Sequence, residues 1–293
     1  MGRGDLTNAE WVRLEPHLPA ARPRGGRWSD HRQVVNGILF RVRTGIPWRD
    51  LPDRYGSWKT VYERHRRWSA DGTWDRILHA LQAEADPAGK LDWTMVGVDS
   101  TTCRAHQHAA GARKSTPPVP KKRTTPRNHR PDEGLGRSRG GLTCKIHLGG
   151  EGGCRPLALL VTPGQWGDAP QFTEVLALIR VARAGGGRPR TRPDHVSGDK
   201  AYSSRRNREH LRRRQIKHTI PEPKDQRANR RRRGGKGGRP TGFDSDLYKR
   251  RNEVERTINR LKHHRAVATR YDKRAYVFHG TVTTAAIRLW LRE

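Results

Sequence analysis

The sequence predicts an α/β fold: a mixed sheet flanked by helices, preceded by a small all-α domain. Three observations predict it. Charge is unevenly divided, with 15 Lys/Arg against 11 Asp/Glu in residues 1–86, a net of +4 out of the +32 of the whole chain. Six of the nine Trp fall in the same 86 residues. Beyond them, short apolar runs alternate with amphipathic stretches, the mark of strands and helices interleaved.

Composition excludes several classes. Leu, Ile, Val and Phe make up only 50 of 293 residues, which with so large a charge leans toward disorder, but nine Trp argue for folded parts separated by basic segments. The longest apolar run, 157–161, is far short of the ~18 residues of a membrane span. The N-terminus has no apolar stretch of the signal-peptide kind. Cys103, Cys144 and Cys154 form no CxxC pair, which fits a reduced compartment and offers no zinc signature. The excess positive charge calls for a polyanionic partner, nucleic acid first. The expected location is the cytosol, in association with nucleic acid.

The first 86 residues read as four short helices of a helix-turn-helix-like, DNA-binding domain. Thr7 and Glu10 form a capping-box pattern ahead of Trp11, Leu14 and Leu18. Ser29 is expected to cap a second helix bearing Val34, Val35, Ile38, Leu39 and Val42, stopped by Gly45. Ser57 is expected to cap a third, with Trp58, Val61, Tyr62, His65 and Trp68 on one face and Lys59, Arg66 and Arg67 on the other. Thr73 is expected to cap a fourth, with Trp74, Ile77, Leu78 and Leu81 inward. The third is the helix expected on DNA; the plainer alternative is a helical cap whose cations face water.

The second domain, 91–293, alternates strands and helices. LDWTMVGV, residues 91–98, reads as a strand running into Asp99. Residues 142–148 and 155–162 read as a hairpin turning through the glycines at 149–153. A helix is expected at 172–179 and a short strand at 195–198 ahead of Asp199. A helix at 204–214, a strand at 217–220, a long helix at about 246–264 and a terminal helix near 282–291 complete the set. Two basic loops, about 104–140 and 221–244, interrupt it. The order β, β-β, α, β, α, β, α is that of a ribonuclease-H-like fold.

Three carboxylates draw attention. Asp99 and Asp199 each follow a buried strand, where rigid backbone holds a side chain at the sheet edge. On the long helix, at about 100° per residue, Tyr248, Arg251, Glu255 and Lys262 share an arc of about 60° bordering the stripe of Leu247, Val254, Ile258 and Leu261. Glu253 falls on the solvent side. Glu255 is thus the carboxylate turned toward the sheet. The bland reading of this face is an intrahelical ion pair between Arg251 and Glu255 at i, i+4.

The spacing Tyr248-x2-Arg251-x3-Glu255-x6-Lys262 resembles the YREK signature of bacterial insertion-sequence transposases of the insertion-sequence-five type. VGVDSTTCRAHQHAAGARK around Asp99, GRSRGGLTCKIHL in the hairpin and SGDKAYSS around Asp199 resemble the same family. WSDHRQVVNGILFRVRTGIPWRDLP and YGSWKTVYERHRRW resemble its N-terminal domain. The resemblance covers nearly the whole chain and departs at 115–133, which is longer and richer in Pro and Lys than expected. It implies a DDE transposase with Asp99, Asp199 and Glu255 as catalytic, metal-holding triad, and Tyr248, Arg251 and Lys262 in support. Oxygen donors suit two Mg²⁺ ions, with Mn²⁺ an alternative. The implied partners are double-stranded DNA, both element ends and target, and a second subunit; no membrane is involved. A different class, a non-catalytic DNA-binding regulator, would bind DNA without cutting it.

Weaker signals remain. His106 and His108 suit a loop or a DNA contact better than a metal. His263 and His264 are expected to serve the C-terminal dipole of the long helix. Trp166 could stack on an extruded base, with packing the favoured reading. Residues 205–239 hold fifteen Lys/Arg against three acids. They are expected to touch the DNA backbone, Arg231, Arg232 and Arg233 foremost.

Overall fold

The computed structural model describes residues 2, 4–20, 28–111 and 133–292. The N-terminal region holds α1 (Asn8–Leu14), α2 (His31–Thr44), α3 (Trp58–Ala70) and α4 (Thr73–Ala85), with one 3₁₀ turn directly after α1 and two between α2 and α3. The Thr7/Glu10 capping box is formed. Two other caps differ from expectation. Asp30 rather than Ser29 accepts the Arg32 amide hydrogen bond and caps α2. Before α4, Gly72 occupies the left-handed cap position, with Thr73 already in the helix and its amide donating to Asp71. Ser57 occupies the N-cap of α3, though its hydroxyl makes no cap hydrogen bond there.

The remaining elements are β1 (Val96–Ala105), α5 (Gln107–Ala110), β2 (Gly136–Ser138), β3 (Gly141–Glu151), β4 (Arg155–Pro163) and α6 (Phe172–Leu178). Then come β5 (His195–Gly198), α7 (Arg205–Arg213), β6 (Lys217–Thr219), α8 (Lys224–Arg232), α9 (Ser245–Lys249), α10 (Asn252–Lys262), α11 (Arg265–Ala268), β7 (Thr269–Arg270) and α12 (Ala275–Leu291). Seven strands form one sheet. β1 is central, antiparallel to β3 and parallel to β5; β4 extends the antiparallel side and β6 the parallel side. The short β2 continues along the edge of β3 and β7 pairs the far end of β1. The spatial order 4-3-1-5-6 is the ribonuclease-H-like arrangement expected from the sequence.

Several boundaries move. The first strand begins at Val96 and runs through Asp99, because its pairing with β3 continues to Arg104. The hairpin does not turn at Gly149-Gly150. Those glycines lie within β3, and the chain reverses through Gly152–Cys154, with Cys154 left-handed at φ 62°. The expected loops at 104–140 and 221–244 are partly ordered as α5, β2 and α8, while 112–132 lies outside the described residues. α8 has no buried residue and is tied down by polar contacts, Arg230 to Glu222 and Gln226 to Ser203. The long helix is two helices. At the junction the amides of Arg250 and Arg251 bond three residues back, to Leu247 and Tyr248, which tightens the turn.

α12 is longer than the expected 282–291 and is buried along its whole length. A helix apolar all round belongs inside a core, and α12 packs against α2, α3, α4 and β4. Thr281 reaches His65, which in turn accepts the indole N–H of Trp74. Burial drives His65 down to about 4, so the ring is neutral and fit to accept. A buried ion pair, Arg41 to Asp272 at 3.2 Å, fastens α2 to the segment before α12.

Glycines set the approach of α10 to the sheet. A Cβ on Gly97 would lie 2.6 Å from Val254 Cβ, and one on Gly150 would lie 3.2 Å from Thr257 Oγ1. The adjacent Gly149 faces the other side, toward Val175 and Ile179 of or beside α6. The sheet is therefore a filling between α10 and α6. Gly97→Ala is expected to cost about 1–3 kcal/mol by overpacking, since Val254 Cβ is fixed to the helix backbone. A urea midpoint unchanged from the parent protein would contradict this close contact.

Candidate active site

Alternate residues of β1 point at α10. Gly97 meets Val254, Asp99 meets Arg251, and Thr101 accepts a hydrogen bond from Lys262 Nζ at 2.8 Å. The parallel register pairs Val98 with Gly198. One step further along both strands stand Asp99 and Asp199, on neighbouring chains that run about 4.8 Å apart. Residues a hundred apart in sequence thus emerge side by side where β5 ends.

Each carboxylate is held differently. Asp99 Oδ1 accepts the Ser100 amide at 2.8 Å, and its Oδ2 accepts Arg251 Nη2 at 3.2 Å. Asp199 caps the 3₁₀ turn Lys200–Tyr202, accepting the Ala201 amide at 2.9 Å. Glu255 Oε1 accepts Arg251 Nη1 at 2.6 Å, and its side chain stays 45% exposed. The i, i+4 pair foreseen as the bland reading is present. It does not account for the second half of the contact, which reaches Asp99 across 152 positions.

The electrostatics follow from this crowding. Burial pushes the Asp99 carboxyl up from its ordinary value; the Ser100 amide and Arg251 pull it down, and Asp199 and Glu255 push it up again. Burial also opposes the charge on Arg251, but Asp99 and Glu255 outweigh it and raise the guanidinium. Tyr248 on α9 is pushed up by burial, feels the same four charges, and stacks beside Phe243 at 5.2 Å. The structure thus brings Asp99, Asp199, Glu255, Arg251 and Tyr248 into one neighbourhood. Lys262 sits further along β1, on Thr101 and the Thr102 carbonyl. Among the described residues no three acidic, His or Cys side chains converge closely enough to hold one ion. The Arg251 guanidinium bridges Asp99 and Glu255 instead.

Two sequence expectations on this helix are corrected. Glu253 does not face solvent. Its side chain is only 16% exposed, because Arg250 binds it at 2.8 Å and also reaches Asp92 and Thr94 at the foot of β1. The turn at 250–251 swings Arg250, and with it Glu253, toward that end. His264 does not serve the helix dipole as a cation: burial lowers it to about 4, leaving it neutral at pH 7.

A network missed in the sequence lies beside Asp99. Ser100 Oγ donates to Asp168 Oδ1 at 2.8 Å, and Lys145 Nζ donates to the same oxygen at 3.0 Å and to the Trp166 carbonyl. The signal lies in GQWGD, where the Trp is the more conspicuous residue and the Asp the one that reaches the site. Trp166 itself is 37% exposed rather than packed away. Of the expected DNA-binding residues, Lys59 and Arg67 are exposed on α3, with Arg67 over the Trp28 ring, while Arg66 pairs with Glu63 at 2.8 Å. Arg231, Arg232 and Arg233 are exposed at the end of α8, far along the chain from α3.

The raised Asp99 bears on stability. The folded protein holds this proton more tightly than the unfolded chain. Its contribution therefore falls as pH climbs from the ordinary carboxylate value of 3.8 through the raised one. In the presence of chelator, Asp99→Asn is expected to raise the thermal midpoint at pH 7, and the gain should vanish near pH 3.5. Thermal melts across that range check it; an Asn variant less stable at every pH would contradict it.

Residues 94–290 match the family model described as "Transposase DDE domain", and residues 6–78 match the one described as "Putative transposase of IS4/5 family". The "Uncharacterized protein y4sN" of Sinorhizobium fredii is 39% identical over 111 residues, 38% of this chain and 84% of that protein. The "Putative transposase for insertion sequence element IS6501" of Brucella ovis is 32% identical over 151 residues, 52% of this chain and 100% of that protein. Among solved structures, the piggyBac transposase synaptic complex with hairpin DNA aligns at a TM-score of 0.44 and 12% identity. It covers 96% of this chain and 70% of that one, too loose a likeness to carry an argument. The first model spans well over half of the sequence, and the chain belongs to the DDE transposases of insertion sequences.

Proposed function

We propose that Asp99, Asp199 and Glu255 are the carboxylates with which this transposase cuts DNA at the ends of its element and joins the freed 3′-hydroxyls to target DNA. One observation carries the reading. A single guanidinium clasps a carboxylate from the central strand and one from α10, with the third acid level with the first on the next strand. Nothing in the packing of an ordinary α/β core asks for this.

The donor set is all oxygen, which suits a hard divalent cation, Mg²⁺ or Mn²⁺. The Arg251 bridge supports the fit, since the seat between Asp99 and Glu255 already attracts positive charge. A bound pair of such ions would neutralise the phosphate and make water or a 3′-hydroxyl a better nucleophile. The chain's own residues do the rest. The Ser100 and Ala201 amides hold Asp99 and Asp199 in fixed orientation, so little reorganisation is left for the reaction itself. Glu255, half exposed on a helix, is the carboxylate free to adjust. Arg251 and Lys262 turn to the flanking phosphates once the carboxylates are otherwise engaged, and Tyr248 stacks against or hydrogen-bonds the DNA.

Binding follows a division of labour. Residues 1–86 supply α3, with Lys59, Arg66 and Arg67, as the helix laid on the duplex. The catalytic part, 91–293, adds Arg231, Arg232 and Arg233 on an outlying helix that buries nothing of its own. Joining two ends at one target calls for two subunits, so the working complex is a homodimer acting on the cell's DNA in the bacterial cytoplasm.

Asp99→Asn, Asp199→Asn and Glu255→Gln are each expected to lower Mg²⁺-dependent cleavage and strand transfer by at least ~100-fold. DNA binding should be unchanged. The substrate is DNA carrying the inverted repeats that flank the gene, with precleaved ends for the joining step. Full activity in any of the three would remove that residue from the site, and binding without any metal-dependent joining by the parent protein would favour a non-catalytic regulator. Replacing Arg231, Arg232 and Arg233 by Ala should flatten the dependence of log affinity on log salt by roughly 0.9 for each phosphate no longer neutralised; an unaltered slope would place these cations off the DNA.

A further inference from the structure

A cleft of about 670 Å³ opens between the N-terminal helices and the far end of β1, away from the carboxylates. Its walls are planar rings. Trp48 follows the Gly45 stop of α2, Trp58 begins α3, Tyr62 lies one turn on, and Tyr271 follows β7. Trp48 sits 5.5 Å from Tyr62, and Tyr271 lies 5.0 Å from His106. The Trp48 indole Nε1 is buried and, among the described residues, has no hydrogen-bond acceptor. A buried donor without an acceptor is costly, and here it lies on a residue that lines open space.

The charges around the cleft divide into two kinds. Arg41 is spent on Asp272, and Arg274 on Glu133 at 2.6 Å. Asp272, the acid in the lining, is neutralised by Arg41 and accepts a further bond from Thr281. Arg49 and Lys273 are exposed, and among the described residues neither joins an ion pair. Arg49 stands over the Trp58 ring at 5.6 Å. The cleft therefore combines aromatic walls, an unanswered N–H donor and two uncommitted cations.

We propose that this cleft receives an unpaired nucleotide of the DNA. The base stacks on Trp58 and Tyr271, the N–H of Trp48, whose ring is itself covered by Arg41 at 4.8 Å, meets an acceptor on the base edge, and Arg49 and Lys273 hold the adjoining phosphates. A volume within the ~300–1,000 Å³ of small-ligand pockets accommodates one nucleotide, and stacking on aromatic side chains is tolerant of base identity. The inference rests on the DNA-handling reading above. It accounts for His106 and His108 at the cleft, which the carboxylate site leaves unused.

The test uses the full chain and a single-stranded oligo(dT) carrying one 5-iododeoxyuridine, irradiated and mapped by mass spectrometry. Adducts on Trp48, Trp58, Tyr62 or Tyr271 are expected. Trp58→Ala, a change at a half-buried helix start whose thermal midpoint is measured alongside, should weaken oligonucleotide binding about tenfold, and Trp48→Phe should keep the ring packing but lose the N–H contribution. Adducts confined to Trp166 or to the α8 arginines would overturn the cleft assignment, as would binding of duplex with no binding of single strand. Failure to bind either form would sink the DNA reading itself, and the cleft proposal with it.

Discussion

Three negative charges crowded at one sheet edge repel one another, and the site exists because a cation from the covering helix is placed among them. Arg251 satisfies Asp99 and Glu255 together, across two elements that the chain brings in 152 residues apart. Without that bridge, burial of Asp99 would be opposed by both of its acidic neighbours. A carboxyl pressed by burial and by two acidic neighbours, with one cation set against them, is an arrangement met more often at functional sites than in ordinary ion pairs.

The rest of the fold serves this placement. Parallel pairing of β1 with β5 levels Asp99 with Asp199, and glycines at 97 and 150 let α10 come down onto the sheet far enough for Arg251 to reach. Behind it, α12 fills the space between the sheet and the N-terminal helices, so that the two regions share one apolar core. A weakly apolar composition is enough because the apolar residues are concentrated there; the arginines lie mostly at the surface, where water solvates them.

Legibility in the sequence tracked locality. Caps, amphipathic faces and apolar runs report on neighbouring residues, so the main strands and the helices with an apolar face could be read, whereas α5, α8 and α11, short or without such a face, could not. The acids Asp99, Asp199 and Glu255 stood out for local reasons as well: strand ends and one helical arc. What stayed hidden depended on contacts distant in sequence. β2 and β7 are too short to show a pattern and exist only because an edge and a strand end accept them. The turn at 250–251 cannot be seen in a continuous helical wheel, and it is what sends Glu253 to Arg250 instead of to water. Asp168 reads as a loop residue in the sequence, and only the fold brings Ser100 and Lys145 onto it.

That turn also separates two duties that a straight helix would have merged. α10 presses Val254, Ile258 and Leu261 into the core and cannot move without disturbing it. α9 has no fully buried residue, and Tyr248 rides on it half-buried. Placing the junction between them, just before Arg251, puts the bridging guanidinium at the boundary of a rigid body and a loosely held one. A side chain at such a boundary is fixed by packing on one side of it only, whereas the backbone of Glu255, one turn further in, is held by the burial of Val254 and Ile258 around it. The break in the helix thus puts one guanidinium where it reaches Asp99 on β1 and Glu255 on its own helix at once.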